Sequence, residues 1–439
     1  MAATKTIFSA IIRSLKHRNF RLFTVGQSIS LIGTWMQQVA VGWLVYRMTN
    51  SALLLGLVSF AAQGPTFVLA PLAGAIADRS NRRRVLLIVQ TLMMVQALAL
   101  ATLVLSGTVQ VWHIVVLSAF LGCLSGFDIP VRQSFLVEMV DGKEDLSNAI
   151  ALNSSMFNAA RLVGPAVAGF GIALIGEGMC ILLNGVSYVA VLLALLGMRL
   201  EPRPRPAYVG MVSRINEGFR YAFGFTPIRS VLLLVAVVSL LGVPFSVLLP
   251  IIAGDVLHGD AKTLGVLVSS TGAGALTAAL YLASRQSVRG LGVVITWSAM
   301  LFGASLVLFS FSRTLWMCAP ALALAGFGMM LQMASSNTFL QTIVEDDKRG
   351  RILALYTMAY IGTSPIGSLL LGYGAQRLGA PAAIAIGGGA TMVCAALFGR
   401  QLPHFREQVR PVYRRLGIIP EVATGIEAAT QARPAEESS

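Results

Sequence analysis

The feature that most constrains this chain is a series of long apolar stretches separated by short basic blocks. Residues 52–76 and 85–106 are each long enough to cross a hydrocarbon core of about 30 Å as a helix rising about 1.5 Å per residue. Between them lies the block Gly-Ala-Ile-Ala-Asp-Arg-Ser-Asn-Arg-Arg-Arg, residues 74–84. Basic residues accumulate in the cytoplasmic loops of membrane proteins. The pattern therefore predicts two membrane-spanning helices joined by a cytoplasmic turn.

The composition also points to lipid as the surrounding solvent. Hydrophobic residues make up 56% of the chain and charged residues 12%, whereas a soluble domain is about half apolar and about a quarter charged. The net charge is +14, but the basic residues are scattered between apolar stretches and do not form a continuous phosphate-binding face. We therefore expect the lipid bilayer as a partner, and no nucleic acid.

Hydropathy predicts twelve spans. We expect each to be a helix, because a bilayer forces backbone groups to pair internally and the alternating pattern of barrel strands is absent. The predicted spans are 20–46, 52–76, 85–106, 112–137, 149–175, 179–198, 229–253, 263–284, 291–311, 315–341, 352–375 and 381–400. The predicted fold class is thus all-α and integral to the membrane.

The basic residues also predict the sidedness of these spans. If the N-terminus is cytoplasmic, the loops of the opposite side contain only Arg47, Lys262, Arg313 and Arg377. The positive-inside rule then places both termini in the cytoplasm. Residues 1–18 show no signal-peptide pattern. We expect a multi-pass protein of the inner, or plasma, membrane.

A middle segment divides the chain into two parts. It opens with Glu-Pro-Arg-Pro-Arg-Pro at residues 201–206, which cannot continue a helix, and an amphipathic helix is predicted at 215–223. The predicted units are an N-terminal six-helix half, a cytoplasmic linker, a C-terminal six-helix half and a tail expected to be disordered at its end, at residues 1–198, 199–228, 229–402 and 403–439.

A weak internal repeat supports two related halves. Leu55-Gly56-Leu57-Val58 resembles Leu264-Gly265-Val266-Leu267, and Pro165 has a counterpart in Pro365. Many secondary transporters place their binding site between two such repeats.

The basic block resembles the cytoplasmic signature of the major facilitator superfamily. The matching residues are Gly74, Asp78, Arg79, Arg82 and Arg83. Asn81 stands where that signature usually has Gly, and the corresponding place in the second half, residues 284–287, lacks the acid. Further motifs resemble the branch that contains the enterobactin exporter and related drug efflux proteins: residues 18–21, 33–38, 128–133, 151–154 and 161–165. The resemblance covers almost the whole chain.

This resemblance implies a cytoplasmic gate in the basic block. Asp78 would hold one gate position by contacting Arg82, one helical turn away if the second helix continues, or the N-terminus of a neighbouring helix. The alternative is that the arginines only determine topology.

Three ionisable residues fall at membrane depth in the first half. Asp128 and Arg132 share one helix face at i, i+4, and Arg161 stands alone in the next span. Charges within a membrane are costly, so these residues are candidates for coupling. A purely structural ion pair is the alternative.

Gly164, Pro165 and Gly169 predict a bend and a close helix approach in the fifth span. The segment partly resembles the Gly-Pro signature of superfamily antiporters, although Ala160 stands where that motif often has Gly. Packing alone would also explain it.

The superfamily fold implies a central cavity between helices one, four, seven and ten. Besides Asp128, the candidate lining residues are Gln37, Gln38, Gln332 and Asn337, with Trp35 and Tyr360 as aromatic neighbours. The second half contributes no embedded charge, so the cavity suits an amphipathic ligand. Interhelical packing is the alternative role for each residue.

Several function classes are disfavoured. The four cysteines and four histidines lack metal-ligand spacing, no catalytic constellation lies at membrane depth, and no Gly-x-x-x-x-Gly-Lys-[Ser/Thr] loop is present. We therefore expect no metal, no cofactor and no enzyme activity. The leading hypothesis is a monomeric, proton-coupled exporter of a small siderophore-like or drug-like molecule. The alternatives are an importer of the same fold and a non-transporting receptor or channel.

Overall fold

The computed structural model describes residues 13–140, 142–199, 219–285 and 287–415, and describes the backbone alone at positions 70–71, 74–79, 143, 158, 346–347 and 415. Within these ranges the regular elements are helices. The first four membrane-length helices are α1 Arg18–Thr49, α2 Ala52–Arg79, α3 Arg82–Leu105 and α4 Val111–Leu136. The 3-10 turn Arg13–Lys16 precedes them.

A 55-residue helix, Lys143–Gly197, follows, and it reverses direction at Gly176. Gly176 has φ 80° and ψ 167°, a conformation that glycine adopts readily. The two arms lie side by side against α1, because Gly164 of the first arm contacts Trp35 and Asn184 of the second arm contacts Gly33. We call the arms α5, residues 143–175, and α6, residues 177–197.

The second part of the chain has the same helical character. Its helices are α7 Thr226–Val256, α8 Ala261–Ser284, α9 Leu291–Phe311, α10 Leu315–Ile343, α11 built from Asp346–Thr357, Met358–Gly362 and Thr363–Leu378, and α12 Ala380–Arg415. Among the described residues, ten helices are long and apolar enough to cross a membrane, counting α5 and α6 as one and leaving out α1. The prediction of a multi-pass helical membrane protein is confirmed.

The outer surface has the character of a lipid-facing one. Large apolar side chains are exposed on many helices, including Leu174 at 79%, Phe311 at 70% and Trp316 at 90%. A soluble protein rarely exposes so many, because each would contact water at a cost.

Two helices begin at a polar residue whose side chain caps them. Asn81 begins α3 by accepting a hydrogen bond from the Arg84 amide, and Asp260 begins α8 in the same way. Because α2 ends at Arg79, the condition that the second helix continue to Arg82 is not met. At the other end of the chain, α12 continues to Arg415, well beyond the predicted span.

The linker is described only in part. Residues 200–218 lie outside the described ranges, so the helix predicted at 215–223 is observed only from residue 219, where residues 219–224 are helical. Phe219 and Phe223 stack there with ring centroids 6.1 Å apart. The end of the predicted tail, from residue 416, also lies outside the described ranges.

We call residues 13–199 the N-half and 219–415 the C-half. The turns around Asn50, Gly176, His258 and Gly379 lie at one end of the bundle, which we call the distal end; the opposite end is the proximal end. The halves pack through α2 against α11 and α5 against α8.

Each of these two packing contacts includes a close glycine crossing. A Cβ atom at Gly169 would lie 2.9 Å from the Cα of Gly265, and a Cβ atom at Gly372 would lie 3.1 Å from the Cα of Gly56. Small residues let helix backbones approach in this way. Because Gly56 and Gly265 occupy matching positions of the internal repeat, the two crossings are related to each other.

Candidate functional site

The three embedded charges of the N-half lie in two neighbouring environments. Asp128 and Arg132 form an ion pair on α4, with the Arg132 Nε 3.3 Å from the Asp128 Oδ2. Gln90 of α3 donates a hydrogen bond of 2.7 Å to the other carboxylate oxygen. Asp128 is only 6% exposed. A buried carboxylate needs such partners, because removing it from water is costly.

Arg132 also contacts the helix that carries the third charge. Its Cζ atom lies 4.6 Å from the ring centroid of Phe157 on α5, a cation–π arrangement that holds the guanidinium in an apolar setting. Arg161 lies one turn further along α5 and is partly buried. The ion pair therefore connects α4 with α3 through Gln90 and with α5 through Phe157.

A second buried polar cluster connects α1, α3 and α6. Asn184 donates to the Gln37 side-chain oxygen at 2.6 Å, and Gln37 donates to Gln96 at 3.3 Å. Gln96 in turn donates to the Leu117 carbonyl of α4. All three amide side chains are at most 4% exposed. Every one of these hydrogen bonds is internal to the N-half. The Gln37 side chain therefore lies between helices of that half.

The other residues predicted to line a cavity have varied surroundings. Gln38 is exposed, and Trp35 packs over Gly164. Gln332 is fully buried and donates to Ser336, while its side-chain oxygen has no hydrogen-bond partner among the described residues. Asn337 is partly buried and accepts a hydrogen bond from Gln341.

Tyr360 lies in an irregular part of α11. Residues Met358–Gly362 form a π-helical segment, and α7 contains another at Val238–Gly242. The Ser239 hydroxyl of α7 donates to the Tyr360 carbonyl and so joins the two segments. Such bulges are frequent at functional sites. Arg161 of the N-half lies close enough to Tyr360 to interact with it electrostatically.

The fifth-span motif lies at the contact between the halves. Gly164 faces α1, whereas the Pro165 carbonyl and Gly169 face Gly265 of α8. Pro165 lies inside the helix, where it lacks the amide that would bond to the Arg161 carbonyl. The motif therefore lies at a close contact between α5 and α8.

The basic block lies at the proximal end. Arg82 pairs with Glu138 at the end of α4 at 2.7 Å, and Arg83 donates to the Leu196 carbonyl of α6 at 2.8 Å. The side chains of Asp78 and Arg79, and Gly74, fall among the positions described by backbone alone. The observed contacts thus tie α3 to α4 and α6 within the N-half.

Contacts at the distal end cross between the halves. The Tyr46 hydroxyl of α1 donates to Asp255 of α7 at 2.5 Å, and the Ser51 hydroxyl donates to Gln376 of α11 at 3.1 Å. Ser59 of α2 also donates to Ser368 of α11 at 3.2 Å. Together with the glycine crossings, these bonds hold the halves against each other at this end.

A cluster of charges surrounds Asp145 at the start of α5, and none of its members was among the predicted site residues. Lys16, His17 and Arg13 surround its carboxylate, with Lys16 at 2.6 Å and His17 at 2.9 Å. These partners, Lys16 first and then His17 and Arg13, hold the pKa of Asp145 well below its usual range, although burial works in the opposite direction. The cluster fastens the segment before α1 to α5.

Four further partners were missed by sequence reasoning: Gln90, Gln96, Asn184 and Glu138. Gln90, Gln96 and Asn184 are polar residues within apolar spans, which is their only sequence signal. Glu138 lies just beyond the end of α4, and no local spacing signals its contact with Arg82. Within the described residues, no group of three or more His, Cys, Asp or Glu could hold a metal ion.

Residues 9–419 match the family model described as "Transmembrane secretion effector", MFS_3. The chain is 26% identical to the "Staphyloferrin A transporter" of Staphylococcus aureus, over 86% of this chain and 95% of the relative. It is 27% identical to the "Multidrug efflux pump Tap" of Mycobacterium tuberculosis, over 85% and 91% of the two chains.

Solved structures agree in fold at low sequence identity. A POT family transporter in complex with 5-aminolevulinic acid matches with a TM-score of 0.70 and 10% identity, over 88% of this chain and 96% of that one. The nucleoside transporter NupG matches with a TM-score of 0.67 and 13% identity, over 88% and 99%. These likenesses show the fold.

Proposed function

The chain belongs to the transmembrane secretion effector family of the major facilitator superfamily, a family of transporters. On that premise, we propose that it exports a small amphipathic molecule in exchange for protons. The observation that carries the proposal is the buried ion pair of Asp128 and Arg132, held by Gln90 at membrane depth. Embedded carboxylates in transporters serve as sites of proton exchange. The efflux pumps among the relatives support the outward direction.

We propose that the chain crosses the membrane twelve times, in two halves of six helices. The kinked helix supplies two spans, α5 and α6, and α1 is long enough to supply another. With the Lys and Arg residues concentrated at the proximal end, both termini lie in the cytoplasm. The distal end is then external.

Transport would proceed by rocking of the halves around a site between them. In the described arrangement, hydrogen bonds and glycine crossings join the halves at the distal end. This arrangement corresponds to a state closed toward the outside. Export requires these contacts to open while the cytoplasmic ends close.

The gate residues Gly74, Asp78, Arg79, Arg82 and Arg83 are proposed to act in that cytoplasmic closure. Asp78 would hold that closed position by contacting Arg82 or the N-terminus of a neighbouring helix in one state only. We predict that Asp78→Asn inserts normally but slows export strongly. If Asp78→Asn exports at the wild-type rate over a range of substrate concentrations, the basic block only determines topology and the gating role is rejected.

The proposal is tested by untargeted profiling of metabolites and added drugs in cells with and without the protein. We expect at least one amphipathic compound to be depleted from expressing cells and restored by a protonophore. Enrichment in expressing cells would instead indicate import. Equal levels across the profile would contradict active transport.

A further inference from the structure

Arg161 occupies a distinct face of α5. Gly164 marks the face that packs on α1, and Gly169 marks the face that packs on α8. At 100° per residue, position 161 lies between these two faces, together with Phe157 one turn before it. Position 161 also borders the C-half, because a Cβ atom at Gly272 of α8 would lie 3.0 Å from the Arg161 carbonyl oxygen. Arg161 is therefore placed at the boundary between the halves.

Among the described residues, Arg161 has neither a hydrogen bond nor an ion pair, in contrast to Arg132, which has Asp128. A guanidinium at this depth is costly unless water or an anion satisfies it. Since Asp128 neutralises Arg132, the three embedded groups leave one net positive charge next to the interface between the halves.

The opposite wall comes from the C-half. Tyr360 interacts electrostatically with Arg161, and the π-helical segment Met358–Gly362 that carries it is held to α7 through Ser239. The neighbouring Gly362 packs against Phe67 of α2. Arg161 and Tyr360 thus belong to two bodies that would move relative to one another.

We propose that Arg161 binds a carboxylate of the transported molecule, with the Tyr360 hydroxyl as a second donor from the opposite half. The assignment rests on the proposed transport function and names the class of substrate. A guanidinium presents paired donors that match the two carboxylate oxygens. A single carboxylate balances one net positive charge, whereas a phosphate monoester would leave excess negative charge. A cationic drug would be repelled.

The test measures equilibrium binding to the purified full chain in lipid nanodiscs, without an ion gradient. Three probes share one fluorophore: dansyl-glycine carries a carboxylate, dansyl-glycinamide is neutral, and N-dansyl-ethylenediamine carries an amine. We expect the acid to bind most tightly. Arg161→Gln should weaken the acid by roughly tenfold to 100-fold and leave the amide nearly unchanged, and Tyr360→Phe should weaken the acid by about fivefold.

Control variants distinguish loss of the binding site from misfolding. The outcomes also distinguish failure of this assignment from failure of the transport proposal. Arg313→Gln removes an exposed arginine outside the interface and should change no affinity, while Arg161→Lys should retain part of the preference for the acid. Amide or amine binding as tight as the acid, an unchanged preference in Arg161→Gln, or binding of none of the probes would overturn the assignment. Acid-selective binding without pumped export would leave the subsite standing and reject the transport proposal.

Discussion

At the scale of single residues, Asp128 is the group on which the transport mechanism depends. Its carboxylate is buried between Arg132 and Gln90, so removing its charge alone leaves Arg132 unpaired. Breaking a buried pair in this way costs about 3–5 kcal/mol. Stability and coupling therefore have to be separated by changing both partners together.

We predict that Asp128→Asn combined with Arg132→Gln restores the abundance that Asp128→Asn alone loses, because no lone charge then remains in the membrane. The double variant should nevertheless fail to export against a gradient. Abundance is measured by immunoblot of membranes, and export by protonophore-sensitive depletion. Full protonophore-sensitive export by the double variant would show that the pair is only structural.

Asp145 gives a prediction about pH. Because Lys16, His17 and Arg13 lower its pKa, its ionised form stabilises the folded protein at pH values above the unfolded pKa of about 3.9. That contribution is lost as the pH falls toward the lower folded pKa. Asp145→Asn should therefore melt below wild type at pH 6, and the gap should shrink below about pH 4. A gap that widens on acidification would contradict this.

The embedded charged residues could be identified from the sequence, but their interaction partners could not. The spacing of Asp128 and Arg132 within one helix is readable from sequence, and their ion pair is observed. The bond from Gln90, the link of Gln37 to Asn184 and the pairing of Arg82 with Glu138 join residues 38 to 147 positions apart. Those contacts depend on helix packing, which one sequence does not specify.

At the scale of helices, the apolar stretches predicted most elements, because membrane length and composition leave few alternatives. The end of α2 at Arg79 and the extension of α12 to Arg415 differ from the prediction. Polar side chains form the boundary at the end of α2, and polar side chains continue α12 beyond its apolar stretch. Hydropathy carries no signal for a helix end in either place. The π-helical segments of α7 and α11 likewise have no apolar period that would reveal them.

The glycine crossings give a matched pair of variants on α11. Gly372 packs against Gly56, whereas a Cβ atom at Gly374 would meet nothing within 4 Å. Overpacking a close contact costs about 1–3 kcal/mol, so Gly372→Val should oppose closure of the distal end and reduce export by roughly fivefold or more. Gly374→Val has the same change in helix propensity without the clash.

Export and membrane abundance of the two variants are measured side by side. We expect Gly374→Val to match wild type in both. Equal export by the two variants at equal abundance would mean that the α2–α11 crossing does not limit the transport cycle.

At the scale of the whole molecule, the topology assignment underlies the description of the gates. The turn at Gly107 should be external and Arg415 cytoplasmic, because basic residues concentrate at the proximal end. A reporter active only outside the membrane should be active when fused after Gly107 and silent when fused after Arg415. The reverse pattern would exchange the identities of the distal and proximal ends.

Proton-coupled export means that a proton gradient drives net outward movement of the substrate. The most direct measurement is uptake into inside-out membrane vesicles with an acidic interior, using the compound that profiling identifies. We expect wild-type vesicles to concentrate the compound above its external level and to release it when nigericin collapses the pH gradient. Vesicles with the Asp128→Asn and Arg132→Gln double variant should do neither. Uptake that stops at equal concentrations, or that persists unchanged after nigericin, would contradict it.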